Sequence, residues 1–269
     1  MSSKKRIDLL LLEKDIFTTR ERARASIMAG EIFVDGKRVD KCGENVNIDS
    51  VIDFKGHQLP YVSRGGLKLE KAINKFQINL SDKVCFDIGA STGGFTDCML
   101  QNGASKVFSI DVGYGQFAWK LRVDPRVVCM ERKNVRYLTF EDIGELAAFA
   151  SIDVSFISLK KIIPPVTALL SKGGAVVALI KPQFEAGREK VGKKGVVRDP
   201  LVHIEVINTI VDFVEKNNFQ IKALDFSPIK GPEGNLEYLL YFTKEEAEIN
   251  KFDKAIIEDT VKNSHGSLS

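Results

Sequence analysis

Four charged side chains stand where a buried core would favour apolar ones. Lys68 lies on a helical run, Asp153 within "ASIDVSF", Lys181 directly after "AVVALI", and Glu237 at the entry to "NLEYLLYF". A lysine held partly out of water has its pKa lowered and can act as a general base. Neighbouring carboxylates would orient that amine while opposing the lowering. Taken one at a time, each of the four also fits a strand-end charge that simply meets solvent. Lys181 and Asp153 end apolar segments, so both should reach the same rim of a sheet.

A second cluster points to a ligand. "FDIGASTGGFTD", residues 86–97, places Gly89, Gly93 and Gly94 between a hydrophobic run and an apolar helical pattern. Glycine is unfavourable inside regular elements, so such a cluster marks a tight turn or a close ligand. Asp111 ends the next apolar run, about where a ribose-binding acid is expected in a nucleoside-binding βαβ unit. The spacing G-x-x-x-G-G lacks the second glycine of the dinucleotide fingerprint. Asp87 just ahead of the loop would repel a diphosphate and suits a cationic ligand. S-adenosylmethionine, with an ammonium and a sulfonium, fits better than a nicotinamide dinucleotide; a turn that binds nothing is the bland alternative.

The elements that must carry these residues follow from periodicity. "KVCFDI" (83–88), "KVFSID" (106–111), "RVVCM" (126–130), "SIDVSF" (151–156) and "AVVALI" (175–180) read as buried strands. Helical stretches at 93–101, 160–170 and 201–216 fall among them, which predicts a mostly parallel sheet with helices on both faces. "FQIKALDFS" and "EYLLYFT" have no helix between them and predict an antiparallel hairpin at the sheet edge. "GHQLPYVSRGGLKLEKAI" (56–73) reads as a linker followed by a helix. The stretch after Lys244 predicts a short amphipathic helix and a disordered tail.

Residues 1–60 form a separate pattern. "RIDLLLLEKDIF" has helical spacing, and "TTRERARASIMAG" starts at a Thr18 or Thr19 cap and stops at Gly30. "EIFVDGKRV", with Asp35-Gly36 as its turn, and "VNIDSVIDF" are extended. Arg20 and Arg24 are four apart and share a helix face. This order of elements resembles the S4 domain, an RNA-binding fold. The resemblance implies contacts to structured RNA, with Arg6, Arg20, Arg22 and Lys37 on phosphates and Arg24 beside them.

Composition narrows the classes. The chain has 269 residues, 44% hydrophobic and 28% charged, with a net charge of +3. That suffices for a sizeable core plus a small module, and says little about partners. No apolar run approaches the roughly 20 residues a membrane helix needs. The four leucines at 9–12 are too few for a secretory h-region, so the start reads as a helix and the protein as cytoplasmic. Cys42, Cys85, Cys98 and Cys129 show no metal-ligand spacing and read as reduced thiols.

In order along the chain, "SRGGLKL", "DIGASTGGF", "SIDVSFISL", "LIKPQFE" and "GNLEYLLYF" resemble the TlyA family, hemolysin-A-like ribosomal RNA 2′-O-methyltransferases related to FtsJ-type enzymes. The resemblance extends to about residue 244. It implies an α/β fold: a Rossmann-like class I methyltransferase domain with a mostly parallel seven-stranded sheet and an antiparallel edge strand, preceded by a small α+β S4-like domain. The expected division is 1–60 S4-like, 61–66 linker, 67–245 catalytic and 246–269 C-terminal helix or tail. The family's catalytic lysine–aspartate–lysine–glutamate set falls on Lys68, Asp153, Lys181 and Glu237. Its S-adenosylmethionine contacts fall on Asp87, Gly89, Ala90, Ser91, Gly93, Gly94, Phe95, Asp111 and Asn134. The expected partner is ribosomal RNA or ribosomal subunits, with cytidine the implied target and no metal required. Arg64 and the glycine-containing stretch bearing Arg188, Lys190, Lys193 and Lys194 are expected to hold RNA backbone. A membrane-active hemolysin and a non-catalytic RNA-binding assembly factor are the alternative functions.

Overall fold

The alternation of short apolar runs with turn residues resolves into two compact units, Met1–Leu59 and Pro60–Ser269. The computed structural model describes residues 3–17, 19–56, 59–244 and 250–268. In the first unit β1 (Lys4–Arg6) leads into α1 (Ile7–Glu13), followed by α2 (Arg20–Met28), β2 (Ile32–Val34), β3 (Lys37–Val39), β4 (Asn45–Asn47) and β5 (Ile52–Phe54). The Thr19 hydroxyl caps α2 by accepting from Arg22 N at 3.3 Å; Thr18 lies outside the described residues. Asp35 and Gly36 both take positive φ, 49° and 76°, as a tight hairpin between β2 and β3 requires.

"VNIDSVIDF" is not one extended piece. It splits into β4, which pairs with β1, and β5, which pairs with β2. An Asn47 side-chain turn, Oδ1 accepting from Asp49 N at 3.1 Å, separates them. Ile7, Leu10, Leu11, Ala23, Ile27 and Ile32 form this unit's core.

The second unit runs α3 (Gly66–Phe76), β6 (Val84–Ile88), α4 (Gly94–Gln101), β7 (Lys106–Ile110), α5 (Trp119–Arg122), β8 (Val127–Met130), α6 (Phe140–Ile143), β9 (Ala147–Ile152), α7 (Ile163–Ala168), β10 (Leu170–Ile180), α8 (Pro182–Glu185), α9 (Pro200–Lys216), β11 (Gln220–Phe226), β12 (Tyr238–Thr243) and α10 (Ala255–Leu268). Its seven strands lie in the order β11-β12-β10-β9-β6-β7-β8. β12 is antiparallel to both β10 and β11, and the other neighbouring pairs are parallel. One sheet face packs Phe86, Ile88 and Ile110 against α7, α9 and α10. The other packs Cys85 and Val107 against α3 and α4. The chain leaves β6 towards β8, then returns on the far side of β6 with β9 and β10. The carboxyl ends of β6 and β9 are therefore the switch point where ligands bind in open sheets.

Three expectations are adjusted. The strand read at 151–156 is Ala147–Ile152, because the chain turns away after Ile152 and leaves Asp153 at the tip. The helix read at 160–170 is Ile163–Ala168, preceded by a 3-10 turn at Leu159–Lys161. The expected disordered tail is helical through Leu268, and it buries Ile257 and Val261. Residues 245–249 and 269 of that stretch, and His57 and Gln58 of the expected linker, lie outside the described residues.

Candidate active site

Three strand ends and one helix bring the charged quartet together. Lys68 comes from the first turns of α3, Asp153 follows β9, Lys181 follows β10, and Glu237 precedes β12. Lys68 Nζ lies 2.5 Å from Glu237 Oε2 and 3.6 Å from Asp153 Oδ2. Lys181 Nζ contacts Asp153 Oδ1 and donates to Ser155 Oγ at 3.2 Å. Asp153 thus bridges the two lysine side chains, while Glu237 serves Lys68. Lys68 and Lys181 are each 7% exposed and Glu237 1%, so these are desolvated charges rather than strand ends in water. Gly231 lies against the Glu237 carboxylate so closely that a Cβ would sit 2.2 Å from Oε1.

Burial sets the titration of the group. Burial pushes the Glu237 carboxyl above its usual range, against the pull of Lys68. Burial alone would lower Lys68, but Asp153 and Glu237 outweigh it and hold that ammonium above its ordinary value. Lys68 is therefore the fixed cation of the set, and Lys181 is the amine that shares its carboxylate.

Beside the quartet a cavity of about 550 Å³ opens at the ends of β6, β7 and β9, and Asp153 forms part of its wall. Gly89, Ser91, Asp111 and Asn134, all expected cofactor contacts, line it, together with Ile110, Val135, Ile162 and Phe156. Asp111 holds the loop as well as facing the cavity: its Oδ2 accepts from Ser91 N at 2.7 Å and its Oδ1 from Gly113 N at 2.6 Å. Each carboxylate oxygen keeps a further lone pair for a ligand. Asn134 Oδ1 accepts from Arg136 N at 3.1 Å.

The remaining loop residues sit elsewhere. Asp87 is fully buried and does not face the cavity. Its Oδ2 accepts from Thr96 N at 2.9 Å and Thr96 Oγ1 at 2.7 Å, and its Oδ1 from Ser151 Oγ at 3.3 Å. Burial pushes its pKa up to about 7. The acid thus tethers the first turn of α4 to β6, and the expectation that its charge meets a cationic ligand is corrected. Ala90 and Phe95 are buried in the core behind the loop.

The glycines, too, are required by the protein itself. A Cβ at Gly89 would lie 2.4 Å from the Asp153 carbonyl oxygen, one at Gly93 2.4 Å from Leu121, and one at Gly94 2.3 Å from Ser63 Oγ. Gly89 and Gly93 also hold positive φ of 87° and 93°. Gly89 meets this constraint while also lining the cavity.

Sequence reasoning missed Phe156. It takes a strained φ of 63° and is 90% exposed at the cavity wall, its ring 5.0 Å from that of Phe184. A lone aromatic in "SIDVSFISL" gave no signal by itself, because nothing in its spacing marks it as exposed.

The basic residues divide into committed and open ones. In the first unit Asp8, fully buried, is gripped by Arg6 Nη2 at 2.9 Å and Arg20 Nη2 at 2.8 Å. Those two guanidinium groups share one carboxylate, so the expectation of full phosphate-binding charge at Arg6 and Arg20 is reduced. Arg22 is half-buried at the first turn of α2, and Arg24 and Lys37 are exposed. In the second unit Arg64 is exposed, as are Arg188, Lys193 and Lys194, whereas Lys190 pairs with Glu205 at 2.5 Å. Among the described residues no cluster of acids, histidines and cysteines could hold a metal ion, and no helix is long and apolar enough to cross a membrane.

With this geometry in place, comparison with known proteins is specific. Residues 61–244 match the FtsJ-like methyltransferase model and residues 5–52 the S4 domain. The protein YqxC of Bacillus subtilis (strain 168) is 50% identical over 270 residues, covering 99% of this chain and 96% of that protein. A Mycobacterium tuberculosis (strain CDC 1551 / Oshkosh) protein, named 16S/23S rRNA (cytidine-2′-O)-methyltransferase TlyA, is 38% identical over 242 residues, 90% of each chain. A solved Streptococcus thermophilus structure whose title describes a hemolysin superposes with a TM-score of 0.78 at 47% identity, over 99% of this chain and 98% of that one.

Proposed function

The chain belongs to the FtsJ-like methyltransferase family and carries an S4 domain, and from that membership we propose that it is an S-adenosylmethionine-dependent ribosomal RNA methyltransferase acting on a ribose 2′-hydroxyl. The observation that carries the reading is the buried quartet opening onto the nucleoside-sized cavity through Asp153.

The cavity's chemistry fits the cofactor. Asp111 offers carboxylate lone pairs to a ribose diol, and Ile110, Val135 and Ile162 offer apolar walls to a flat base, with Asn134 at the rim. S-adenosylmethionine, when bound, supplies an electrophilic methyl group on a sulfonium. Lys181, acting as the neutral amine, accepts the proton of the target hydroxyl as that oxygen attacks the methyl carbon, and the ammonium so formed is paired with Asp153. Asp153 fixes the amine's position, and Ser155 takes one of its hydrogen bonds. Lys68 keeps Asp153 and Glu237 from standing as uncompensated buried anions. Phe156, exposed at the cavity wall, offers a ring face on which a displaced base can stack. The acceptor RNA is held by Arg24, Lys37, Arg64, Arg188, Lys193 and Lys194, with smaller contributions from Arg6, Arg20, Arg22 and Lys190. Cytidine is the target nucleoside that the Mycobacterium tuberculosis relative's name supports.

Incubation of the protein with methyl-labelled S-adenosylmethionine and bacterial ribosomal subunits should place label on a ribose 2′-oxygen. Lys181→Ala should reduce incorporation about 10²–10⁴-fold, the usual range for a lost general base, while retaining RNA binding. No label from the wild-type protein, or unchanged label from Lys181→Ala, overturns the assignment. Lysis of erythrocytes by detergent-free protein would support the hemolysin alternative instead.

A further inference from the structure

Glu237 reaches the quartet from a turn built around one buried amide. The Glu237 Oε1 has no hydrogen-bond partner among the described residues, and the space beside it is closed by Gly231, where a Cβ would lie 2.2 Å away. The place of that carboxylate therefore depends on the place of Gly231. Gly231 N donates to the Asn235 carbonyl at 2.9 Å, and the Gly231 carbonyl accepts from Gly234 N at 3.1 Å. Glu233 and Gly234 take positive φ, 61° and 90°, a turn that persists only when its end is anchored.

Asn235, 2% exposed, is that anchor. Its Oδ1 accepts from Val197 N at 3.1 Å and its Nδ2 donates to the Gly195 carbonyl at 2.9 Å. Acceptor and donor are thus both used on one short stretch, a pairing that few side chains other than an amide can make. His203 of α9 grips the same stretch, its Nε2 3.1 Å from the Val197 carbonyl. Lys193 and Lys194 are exposed immediately before Gly195. Lys194 stands at φ 65°, a conformation a lysine keeps only where its neighbours hold it. One amide therefore joins the turn that presents two cations to the turn that seats Glu237.

We propose that Asn235 is a positioning residue serving substrate and chemistry together. Through Gly231 it sets Glu237 against Lys68, and so the carboxylate–lysine order that ends at Lys181; through Gly195 and Val197 it holds Lys193 and Lys194 as they meet RNA backbone. The inference rests on the methyltransferase reading above. Asn235 lines no part of the cofactor cavity, so its loss should reach RNA affinity and turnover while sparing the cofactor.

The test uses the full chain, labelled S-adenosylmethionine and bacterial ribosomal subunits. Asn235→Ala should lower kcat about tenfold and raise KM for subunits several-fold, with cofactor affinity by calorimetry within about twofold. Asn235→Asp keeps the shape and the acceptor for Val197 N but loses the donor to Gly195, and should fall between Asn235→Ala and the wild type on both constants. Two further changes separate the outputs. In the wild-type background Gly231→Ala should lower kcat, and Lys193→Ala with Lys194→Ala should raise KM. In the Asn235→Ala background each should lose most of its effect, the non-additivity expected of groups held by one residue. Where Asn235→Ala fails to fold, Asn235→Asp carries the same comparison. Full additivity, wild-type constants in Asn235→Asp, or cofactor affinity lost in step with kcat and thermal midpoint would each overturn the proposal. Absence of wild-type methylation removes the parent reading too, whereas normal methylation with indifferent Asn235 variants removes this inference alone.

Discussion

Asp87 shows how a residue beside a ligand loop can act entirely through the protein. Its carboxylate accepts from the Thr96 amide and hydroxyl at the start of α4 and from the Ser151 hydroxyl of β9, and without it the buried Thr96 amide would lose its partner. Asp87→Ala should therefore destabilise the catalytic unit by about 1–3 kcal/mol, read as a lower denaturant midpoint. Asp87→Asn keeps an acceptor for Thr96 and should hold cofactor affinity within a few-fold in titration calorimetry. A large, stability-neutral loss of cofactor affinity in Asp87→Asn would restore the view that its charge meets the ligand. Lys181 behaves differently, because it is spent on no structural task besides its contact with Asp153 and Ser155.

At the scale of elements, α8 and the turn after β9 are clamped by one side chain. Glu185 Oε2 accepts from Ser158 Oγ and its Oε1 from Leu159 N, both at 2.7 Å, and burial raises its pKa. The clamp spans the two segments that present Asp153 and Lys181. Glu185→Ala should lower kcat about tenfold through misplacement of Lys181, leave cofactor affinity within about threefold, and be partly rescued by Glu185→Gln, all measured in the same subunit assay. The strands and helices that carry these residues were largely legible, because their apolar runs have clear periods and end in turn residues. Boundaries failed where a side chain rather than the pattern stops the element: the Asn47 turn divides an apolar run into strands of two sheets. The quartet was visible as charge in apolar surroundings, and the motif order supplied its grouping. The glycine loop carries two constraints at once: Gly89 lines the cavity, and close approach to the protein's own Asp153 carbonyl, Leu121 and Ser63 leaves the same mark in a sequence as close approach to a ligand. Phe156 was invisible, since the exposure of one ring at a cavity wall is a tertiary fact.

For the whole molecule, the two units should respond to acid in different ranges. In the second unit His203 is fully buried, with Nδ1 2.8 Å from Tyr238 Oη and 3.0 Å from His265 Nε2, and Nε2 3.1 Å from the Val197 carbonyl. Burial lowers its pKa to about 4, helped by His265 and opposed by Asp199. A depressed value favours the neutral ring in the fold. Its stabilisation is complete above about pH 6.5 and drains away as pH falls towards about 4, a loss on the order of 2–3 kcal/mol. In the first unit Asp8 is held down to about 2 by Arg6 and then Arg20, against burial. That contribution is present above pH 3.8 and is lost as pH falls to about 2. It amounts to about 1–2 kcal/mol, since both guanidinium groups are solvated. Acid titration followed by amide exchange should show the α9–α10 region loosening first and α1–α2 later; a simultaneous loss, or one unaltered by His203→Gln, contradicts this. The strand order adds a temporal consequence. β12, which brings Glu237, slots between β10 and β11, both synthesised before it, and meets Lys68 from α3 near the opposite end of the unit's sequence. Such distant pairing is slow to form, so the reactive quartet comes into being only as the sheet closes, and chemical competence doubles as a certificate of finished folding.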